Sequence, residues 1–211
     1  MRLLAICRGK VAALQVDEDQ SVMSGIHKQV VSSLEEPTPI CVLPLGIEGD
    51  EQADLTVHGG LDKAVYAYPQ EHYVFWSNLR TQALKPVVEP VAGLVPYADL
   101  PPLPPGSLGE NLLVTGLNER NLWIGDILRI GEMSFIVSGA RHPCYKFNAK
   151  MGFNHAVKMM VQSGYCGFYL QVMQPGKIKA GDEITLEPGE RYVTVREQFA
   201  LRYRSRLHDL R

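Results

Sequence analysis

Short apolar runs separated by glycine and proline dominate this sequence, and they limit it to a fold built mainly from strands. The chain has 19 glycines and 14 prolines in 211 residues, which leaves little room for long helices. Many short strands with few helices are typical of a closed or partly open β-barrel with helical insertions. The sequence predicts eight strands, at residues 3–11, 40–45, 64–68, 111–115, 126–130, 134–138, 167–173 and 183–186.

Helical patterns are sparse. Residues 69–79 begin with Pro69, which suits the first turn of a helix, and residues 154–162 are followed by Gly164, a helix stop signal. Seven prolines between residues 86 and 106 exclude regular helix and central strand. That segment is therefore interpreted as a long surface loop.

Charge and cysteine content exclude several classes of function. The formal net charge is −2, which provides no general polycation for nucleic acid, and no apolar stretch approaches the roughly twenty residues of a membrane helix. Four cysteines without paired or finger spacing argue against disulfides, structural zinc and iron–sulfur clusters. Because Arg8 and Lys10 interrupt the N-terminal apolar run, it is predicted to be a first strand in a soluble, cytoplasmic protein.

One cysteine, Cys144, has surroundings suited to a metal ligand or a nucleophile. Arg141, His142 and Lys146 lie within three residues of it, and such neighbours lower a cysteine pKa from about 8.5 to roughly 3.5–7.5. Pro143 restricts the preceding backbone, so the thiol is predicted to project from a fixed loop that closes a strand. The other three cysteines lie in apolar contexts and are interpreted as small buried hydrophobes: Cys7, Cys41 and Cys166.

A second segment has the composition of an anion-binding turn. His58 is followed by the twin glycines Gly59 and Gly60, which allow backbone N–H groups to approach a ligand closely. Lys63 adds a positive charge to the same turn. The alternative is a tight turn whose lysine is merely solvated.

A third segment, Gly109-Glu110-Asn111, places a carboxylate and an amide at the mouth of a predicted strand. Both side chains have the hydrogen-bonding groups needed to orient a polar heterocycle. Taken alone, the tripeptide is a weak signal.

Together the three segments indicate a family. The chain resembles MOSC domain proteins, which are named for the C-terminal domain of molybdenum cofactor sulfurase. The resemblance lies in the order and spacing of residues 58–60, 109–111 and 143–146. Within that family the chain is similar to the YiiM-type stand-alone proteins. The resemblance covers residues 1–188. It includes residues 49–54, the aromatic run Tyr66, Tyr68, His72, Tyr73 and Trp76, residues 121–126 and residues 175–177.

The resemblance implies a β-barrel that binds a pyranopterin molybdenum cofactor, with Cys144 as the thiolate ligand of molybdenum. Members of the family reduce N-hydroxylated compounds, such as hydroxylaminopurine-type base analogues and hydroxylamines, and so detoxify them. At the level of the superfamily there is also an association with pyridoxal phosphate. His58 and Glu110, together with His142, are the candidate proton donors. The cofactor is expected to be held by Asp50, Gly59, Gly60, Lys63, Asn111, Arg141, His142 and Lys146.

The same reasoning sets the expected partners. The chain has no flavin or iron–sulfur signature, so the electrons are expected from a separate flavin-type reductase. The substrate is expected to be a small N-hydroxylated compound, with neither nucleic acid polymer nor membrane as partner, and the protein to be a monomer or homodimer. Two other functions stay open, a sulfur carrier with a persulfide on Cys144 and a cofactor-binding module without turnover.

The chain departs from the family pattern at two places. His142 stands before Pro143, where a small residue is expected, and its imidazole would alter access to a metal. YiiM-type proteins commonly continue into a three-helix domain, whereas residues 189–211 predict one helix, interpreted as a remnant of that domain.

This tail is predicted to be an amphipathic helix. Thr194 and Glu197 have capping-box spacing, and residues 190–211 contain six arginines against three acids. The helix is expected to dock on the barrel or on a second subunit, remote from Cys144, and an arm for nucleic acid or membrane is the alternative. Its apolar stripe is predicted to be Ala200, Tyr203, Leu207 and Leu210.

Overall fold

Thirteen strands and four α-helices form the part of the chain that the computed structural model describes, which is residues 1–54, 59–84 and 100–208, with side chains as far as residue 204. His58, Leu210 and most of the proline-rich segment lie outside this part. The strands are β1 (Arg2–Arg8), β2 (Ala12–Asp17), β3 (Gln20–Ser24), β4 (Gln29–Ser33), β5 (Ile40–Leu43), β6 (Gly46–Ile47), β7 (Val65–Pro69), β8 (Leu112–Thr115), β9 (Ile127–Ile130), β10 (Met133–Ala140), β11 (Phe168–Gln174), β12 (Gly176–Ile178) and β13 (Ile184–Glu187). The helices are α1 (Tyr73–Leu84), α2 (Lys146–Met151), α3 (Ala156–Ser163) and α4 (Val195–His208).

Eight of these strands form one curled sheet in the order β13-β9-β10-β11-β7-β8-β1-β4. Neighbouring strands are antiparallel except for the parallel pair β7 and β8. An isolated bridge joins Arg2 to Glu183, and the backbone N–H of Leu3 donates to the carbonyl of Asp182 at 3.0 Å. These contacts connect β1 with the start of β13, so the sheet closes part of the way into a barrel. The predicted fold class is confirmed.

The core fills the inside of the curled sheet. Along β10, Met133, Phe135 and Val137 are buried and alternate with half-buried residues, because successive side chains of a strand point to opposite faces. Complete burial of a side chain such as Phe135 contributes about 1.5–3 kcal/mol. The helix α1 adds its buried residues Tyr73 and Trp76 to this core.

Each of the eight predicted strands has a counterpart in the structure. Seven lie in the main sheet, and the one at 40–45 is β5, which pairs with β6 and β12. The apolar runs do not predict the other five strands, β2, β3, β4, β6 and β12. The β2–β3 hairpin is mostly exposed and carries no apolar period, β4 is also largely exposed, and β6 and β12 have only two and three residues. The helix α2, of only six residues, was not predicted either. None of the described helices is long and apolar enough to cross a membrane.

The tail helix α4 packs against the barrel. Its capping box is present, because the N–H of Glu197 donates to the Thr194 hydroxyl at 3.1 Å and the N–H of Thr194 donates to Glu197 Oε2 at 2.9 Å. Its buried stripe, however, is Val195, Phe199 and Tyr203. Of the predicted stripe, Tyr203 is buried and Ala200 is half-buried. The division of the chain at residue 188 stays a prediction.

Candidate functional site

A cavity of about 110 Å³ opens where several loops meet at one end of the curled sheet. The end of β10 and the start of β11 meet there because these strands are antiparallel neighbours. The wall comprises residues from the loop before β4, the loop after β6, the turn before β7, the start of β8 and the loop after β10. Eight residues proposed from the sequence line it: Asp50, Gly59, Lys63, Asn111, Arg141, His142, Cys144 and Lys146.

Cys144 provides the only thiol among the cavity-lining residues that the structure describes. It is half-buried in the loop between β10 and α2, and its carbonyl accepts the N–H of Phe147 at 2.9 Å. Cys7 and Cys166 are buried in the core, where desolvation raises the pKa of both thiols well above the ordinary value. Of these three thiols, Cys144 is the one placed to meet a ligand.

Arg141 is a buried cation, and some of its N–H donors have no partner among the described residues. Its Nη1 donates to the Tyr66 hydroxyl at 3.2 Å and to the Leu108 carbonyl at 3.1 Å, and its guanidinium lies over the rings of Tyr66 and Phe147. Within the described residues it forms no ion pair with a carboxylate. Because an unpaired buried charge is costly, the remaining N–H groups are suited to an anionic ligand.

A buried ion pair forms another wall of the cavity. Lys28 Nζ lies 2.7 Å from Asp50 Oδ2, and both side chains are almost completely buried. Asp50 also accepts the N–H of Gly9 at 2.8 Å and the amide of Asn111 at 3.0 Å, while Asn111 Oδ1 accepts the N–H of Tyr66 at 3.1 Å. Asp50 and Asn111 therefore use most of their hydrogen-bonding groups to build the wall.

Lys28 was missed by the sequence analysis. It lies just before β4 in a segment for which no element was predicted, and neither its neighbours nor its spacing marks it as a site residue. The one local signal is Gly25, where a Cβ would lie 2.2 Å from the carbonyl of Glu51. A glycine forced by close backbone contact shows that this segment packs against the loop after β6.

The turn before β7 brings backbone close to the cavity. Gly59 and Gly60 have φ values of +89° and +80°, a conformation that other residues rarely adopt. A Cβ on Gly59 would lie 1.8 Å from Gln52 Oε1, whereas a Cβ on Gly60 would meet open space. Lys63 ends the short 3₁₀ turn that follows, and Lys146, across the cavity, donates to the carbonyl of Met23 at 3.0 Å.

His142 lies between the cavity and α4. Its ring is stacked on Phe199 with an interplanar angle of 8° and lies 5.8 Å from the ring of Tyr203. Its Nδ1 is buried without a hydrogen-bond partner among the described residues. Burial, helped by the nearby cations Arg202 and Lys63, lowers its pKa to about 4. The expectation that the tail lies remote from Cys144 is wrong, because α4 contacts a residue two positions away from it.

Glu110 does not line the cavity. It is completely buried, and its carboxylate accepts hydrogen bonds from the Tyr73 hydroxyl and from the N–H groups of Gly106 and Leu108. Burial raises its pKa, although these donors act in the opposite direction. Glu110 therefore positions Leu108, whose carbonyl in turn holds Arg141.

Residues 54–185 match the family model of the MOSC domain. This chain belongs to the MOSC domain family. The matched residues span the strands β7 to β12 and the start of β13, with the loops that contain the twin glycines, Arg141 and Cys144. MOSC domains are associated with molybdenum cofactor binding at the level of the family.

Several named proteins are similar to this MOSC domain protein. The uncharacterized protein YflK of Bacillus subtilis is 36% identical over 201 residues, 95% of this chain and 79% of that protein. Protein YiiM of Escherichia coli is 33% identical over 179 residues, 85% of this chain and 73% of that protein. A protein of Gibberella moniliformis named reductase is 32% identical over 170 residues, 78% of this chain but 26% of that protein.

The fold is also similar to solved structures. The crystal structure of YiiM from Geobacillus stearothermophilus aligns with a TM-score of 0.69 and 28% sequence identity, over 97% of this chain and 85% of that one. The family model and these relatives support a general MOSC-type function. Among the described residues of this MOSC domain protein, no three histidine, cysteine, aspartate or glutamate side chains converge to hold a metal ion.

Proposed function

We propose that this protein binds a molybdenum cofactor in the cavity at Cys144 and reduces small N-hydroxylated compounds with electrons from a separate reductase. The observation that carries the proposal is the presence of a half-buried thiol and a buried cation, Arg141, in one cavity. Within the described residues that cation has no carboxylate partner. The family's association with the molybdenum cofactor and the relative named reductase support the same conclusion.

The residues present fit such a cofactor. A thiolate is a soft ligand suited to a thiophilic metal, and Cys144 is accessible from the cavity. Arg141 retains N–H donors for an anionic group, Lys63 adds charge at the rim, and the backbone at Gly59 allows close approach. The buried pair of Lys28 and Asp50 holds the opposite wall in place.

When bound, the cofactor supplies the two-electron reduction that cleaves the N–O bond of the substrate. In the proposed reaction, Cys144 anchors the metal and Arg141 neutralises negative charge. Two protons are also needed to release the amine and water. The open side of the cavity admits protons from solvent, and His142 lines that cavity. Glu110 is too far inside the wall for this role, so we assign it to positioning, whereas His58 stays a candidate.

Metal analysis of protein produced in a host that makes the cofactor tests the proposal. In the wild type we expect about one molybdenum atom per chain. In Cys144→Ser, which lacks the proposed metal ligand, the molybdenum content should fall by about tenfold or more. Cys41→Ser is the matched control, since Cys41 is also half-buried but lies on β5 outside the cavity lining. Reduction of a hydroxylamine with a dye as electron donor should follow the molybdenum content.

Two results would contradict the proposal. Cys144→Ser that retains molybdenum and full activity would exclude the thiolate ligand. Wild-type protein without molybdenum, but with a labile sulfur released by a reducing agent, would support a sulfur carrier that uses a persulfide on Cys144. Bound molybdenum without turnover of any N-hydroxylated compound would instead support a cofactor-binding module that has no catalytic activity.

A further inference from the structure

The helix α4 contributes none of the described residues of the cavity wall, but it holds His142, which lines the cavity. The rings of Phe199 and His142 are nearly parallel with centroids 5.7 Å apart, and Tyr203 completes the cluster. Gln198 Oε1 accepts the N–H of Ala140 at 2.7 Å, which ties α4 to the end of β10 two residues before His142. The orientation of the imidazole is therefore set by the helix.

The two ring nitrogens of His142 lie in different environments. Nδ1 is buried and, among the described residues, has no hydrogen-bond partner. His142 nevertheless lines the cavity and is only half-buried, so Nε2 is the nitrogen left accessible. Because buried N–H groups without an acceptor are rarer than unpaired acceptors, the proton belongs on Nε2.

We infer that α4 supports the ligand site: it holds the His142 ring in the orientation in which Nδ1 is buried, so that His142 acts as an Nε2–H donor to an oxygen atom of a bound oxyanion. The imidazolium also carries a proton on Nε2, so the donor is present in either charge state. Arg141, with N–H groups that no described residue uses, lines the same cavity and favours an anion. His142 contacts the ligand, whereas Phe199 is a positioning residue. The inference rests on the proposed function only in identifying the oxyanion with the cofactor's phosphate.

Nitrogen-15 NMR of the full chain with labelled histidine tests this inference. The protein is prepared without cofactor and titrated with inorganic phosphate, and the His142 signals are assigned by their loss in His142→Gln. We expect the pattern of the Nε2–H tautomer, and a shift of the Nε2 signals as phosphate binds. Phe199→Leu should mix the tautomers and weaken phosphate binding about fivefold, the order expected for one hydrogen bond.

Two further variants control for folding. Leu201→Ala changes an exposed residue of the same helix and should leave the tautomer and the phosphate affinity unchanged. If Phe199→Leu fails to fold, the test is repeated with Tyr203→Leu, which also loosens the aromatic cluster around His142. An Nδ1–H tautomer in the wild type would overturn the inference. So would an unchanged tautomer and affinity in the folded variants.

The source of the oxyanion is found by repeating the titration with cofactor-loaded protein. If the His142 signals are already shifted and added phosphate has no effect, the cofactor provides the oxyanion. If they still respond to phosphate, a free oxyanion binds beside the cofactor, and either result supports Nε2 as the donor. Since the first titration contains no molybdenum, failure of metal binding at Cys144 would overturn the proposed function and leave this result unaffected.

Discussion

Two histidines of this protein, His72 and His142, differ in whether a buried ring nitrogen has a hydrogen-bond partner. His72 is buried, its ring is stacked on Tyr165 at 3.8 Å, and its Nε2 lies 2.8 Å from Glu119 Oε2. The other oxygen of Glu119 accepts the N–H of Gly167 at 2.7 Å. His142 is also stacked on an aromatic ring, yet its Nδ1 has no hydrogen-bond partner within the described part of the chain.

The difference separates structural polar groups from those available to a ligand. Around His72 the buried groups are paired with one another, as is usual in native proteins. Around the cavity, His142 and Arg141 keep hydrogen-bonding groups that no described residue uses. We therefore expect substitutions in the first cluster to affect stability and substitutions in the second to affect binding.

The largest expected effect is on stability, in Glu119→Ala. Removal of this carboxylate leaves the N–H groups of His72 and Gly167 buried without acceptors, so the free energy of unfolding should fall by about 3–5 kcal/mol. Urea denaturation measures it. Glu187→Ala is the control, because the ion pair of Glu187 with Arg129 is exposed and its loss should change little. Equal effects in the two variants would contradict the distinction.

Arg141→Met should show the opposite pattern. The variant keeps an apolar side chain between Tyr66 and Phe147 but removes the buried charge, so we expect little loss of stability. Phosphate binding, measured by calorimetry, should weaken about tenfold or more, as for loss of a charge-assisted hydrogen bond. Arg120→Met, at an exposed arginine outside the cavity lining, should bind phosphate normally. Unaltered binding in Arg141→Met would remove the basis for an anion site.

Gly60→Ala and Gly125→Ala compare a glycine next to the cavity with a glycine elsewhere in the fold. Gly60 and Gly125 have φ values of +80° and +93°, and an added Cβ meets nothing within 4 Å at either. Strain should cost both variants about 1–2 kcal/mol of unfolding free energy. Only Gly60→Ala should also weaken phosphate binding, because Gly60 directly follows the cavity-lining Gly59, whereas neither Gly125 nor its neighbours line the cavity. If both bind phosphate like the wild type, the twin glycines form a structural turn.

The smallest effect concerns pH and Glu110. Its folded-state pKa is raised above the ordinary value of 4.5 by burial, so the folded protein binds this proton more tightly than the unfolded chain. The stabilisation is complete below about pH 4.5 and is lost as the pH rises through the folded-state pKa. The free energy of unfolding of the wild type, measured relative to that of Glu110→Gln, should therefore fall as the pH rises from about 4.5. An increase over that range would mean that the three donors outweigh burial.

Eight of the thirteen strands and the position of Cys144 could be predicted because both depend on local sequence. Apolar runs mark β1 and β7 to β11, and the cations that flank Cys144 are its neighbours in the chain. The orientation of Glu110 could not be predicted. Its sequence context suggests a strand mouth, but whether a carboxylate there faces the cavity or the core depends on Tyr73, which is 37 residues distant.

The helix α4 shows the same limit. Its start follows from the local capping box, but the buried side is chosen by the surface on which it packs. Val195 and Phe199 are turned toward β10 and His142, although the spacing of apolar residues favours a stripe through Ala200. Contact with the site residue His142 is therefore a tertiary property. The role of Lys28 depends in the same way on Asp50, which is 22 residues away.

The bridge between Arg2 and Glu183 also governs the order in which the protein can be assembled. Strand β1 pairs with β4, which is synthesised soon after it, but its other contacts, with β8 and with the start of β13, involve segments that emerge from the ribosome much later. Pairing between such distant segments is slow to form. The edge of β1 that pairs with β8 must then stay unpaired until residues 112–115 have been synthesised, and an unpaired edge of an apolar strand needs protection from aggregation.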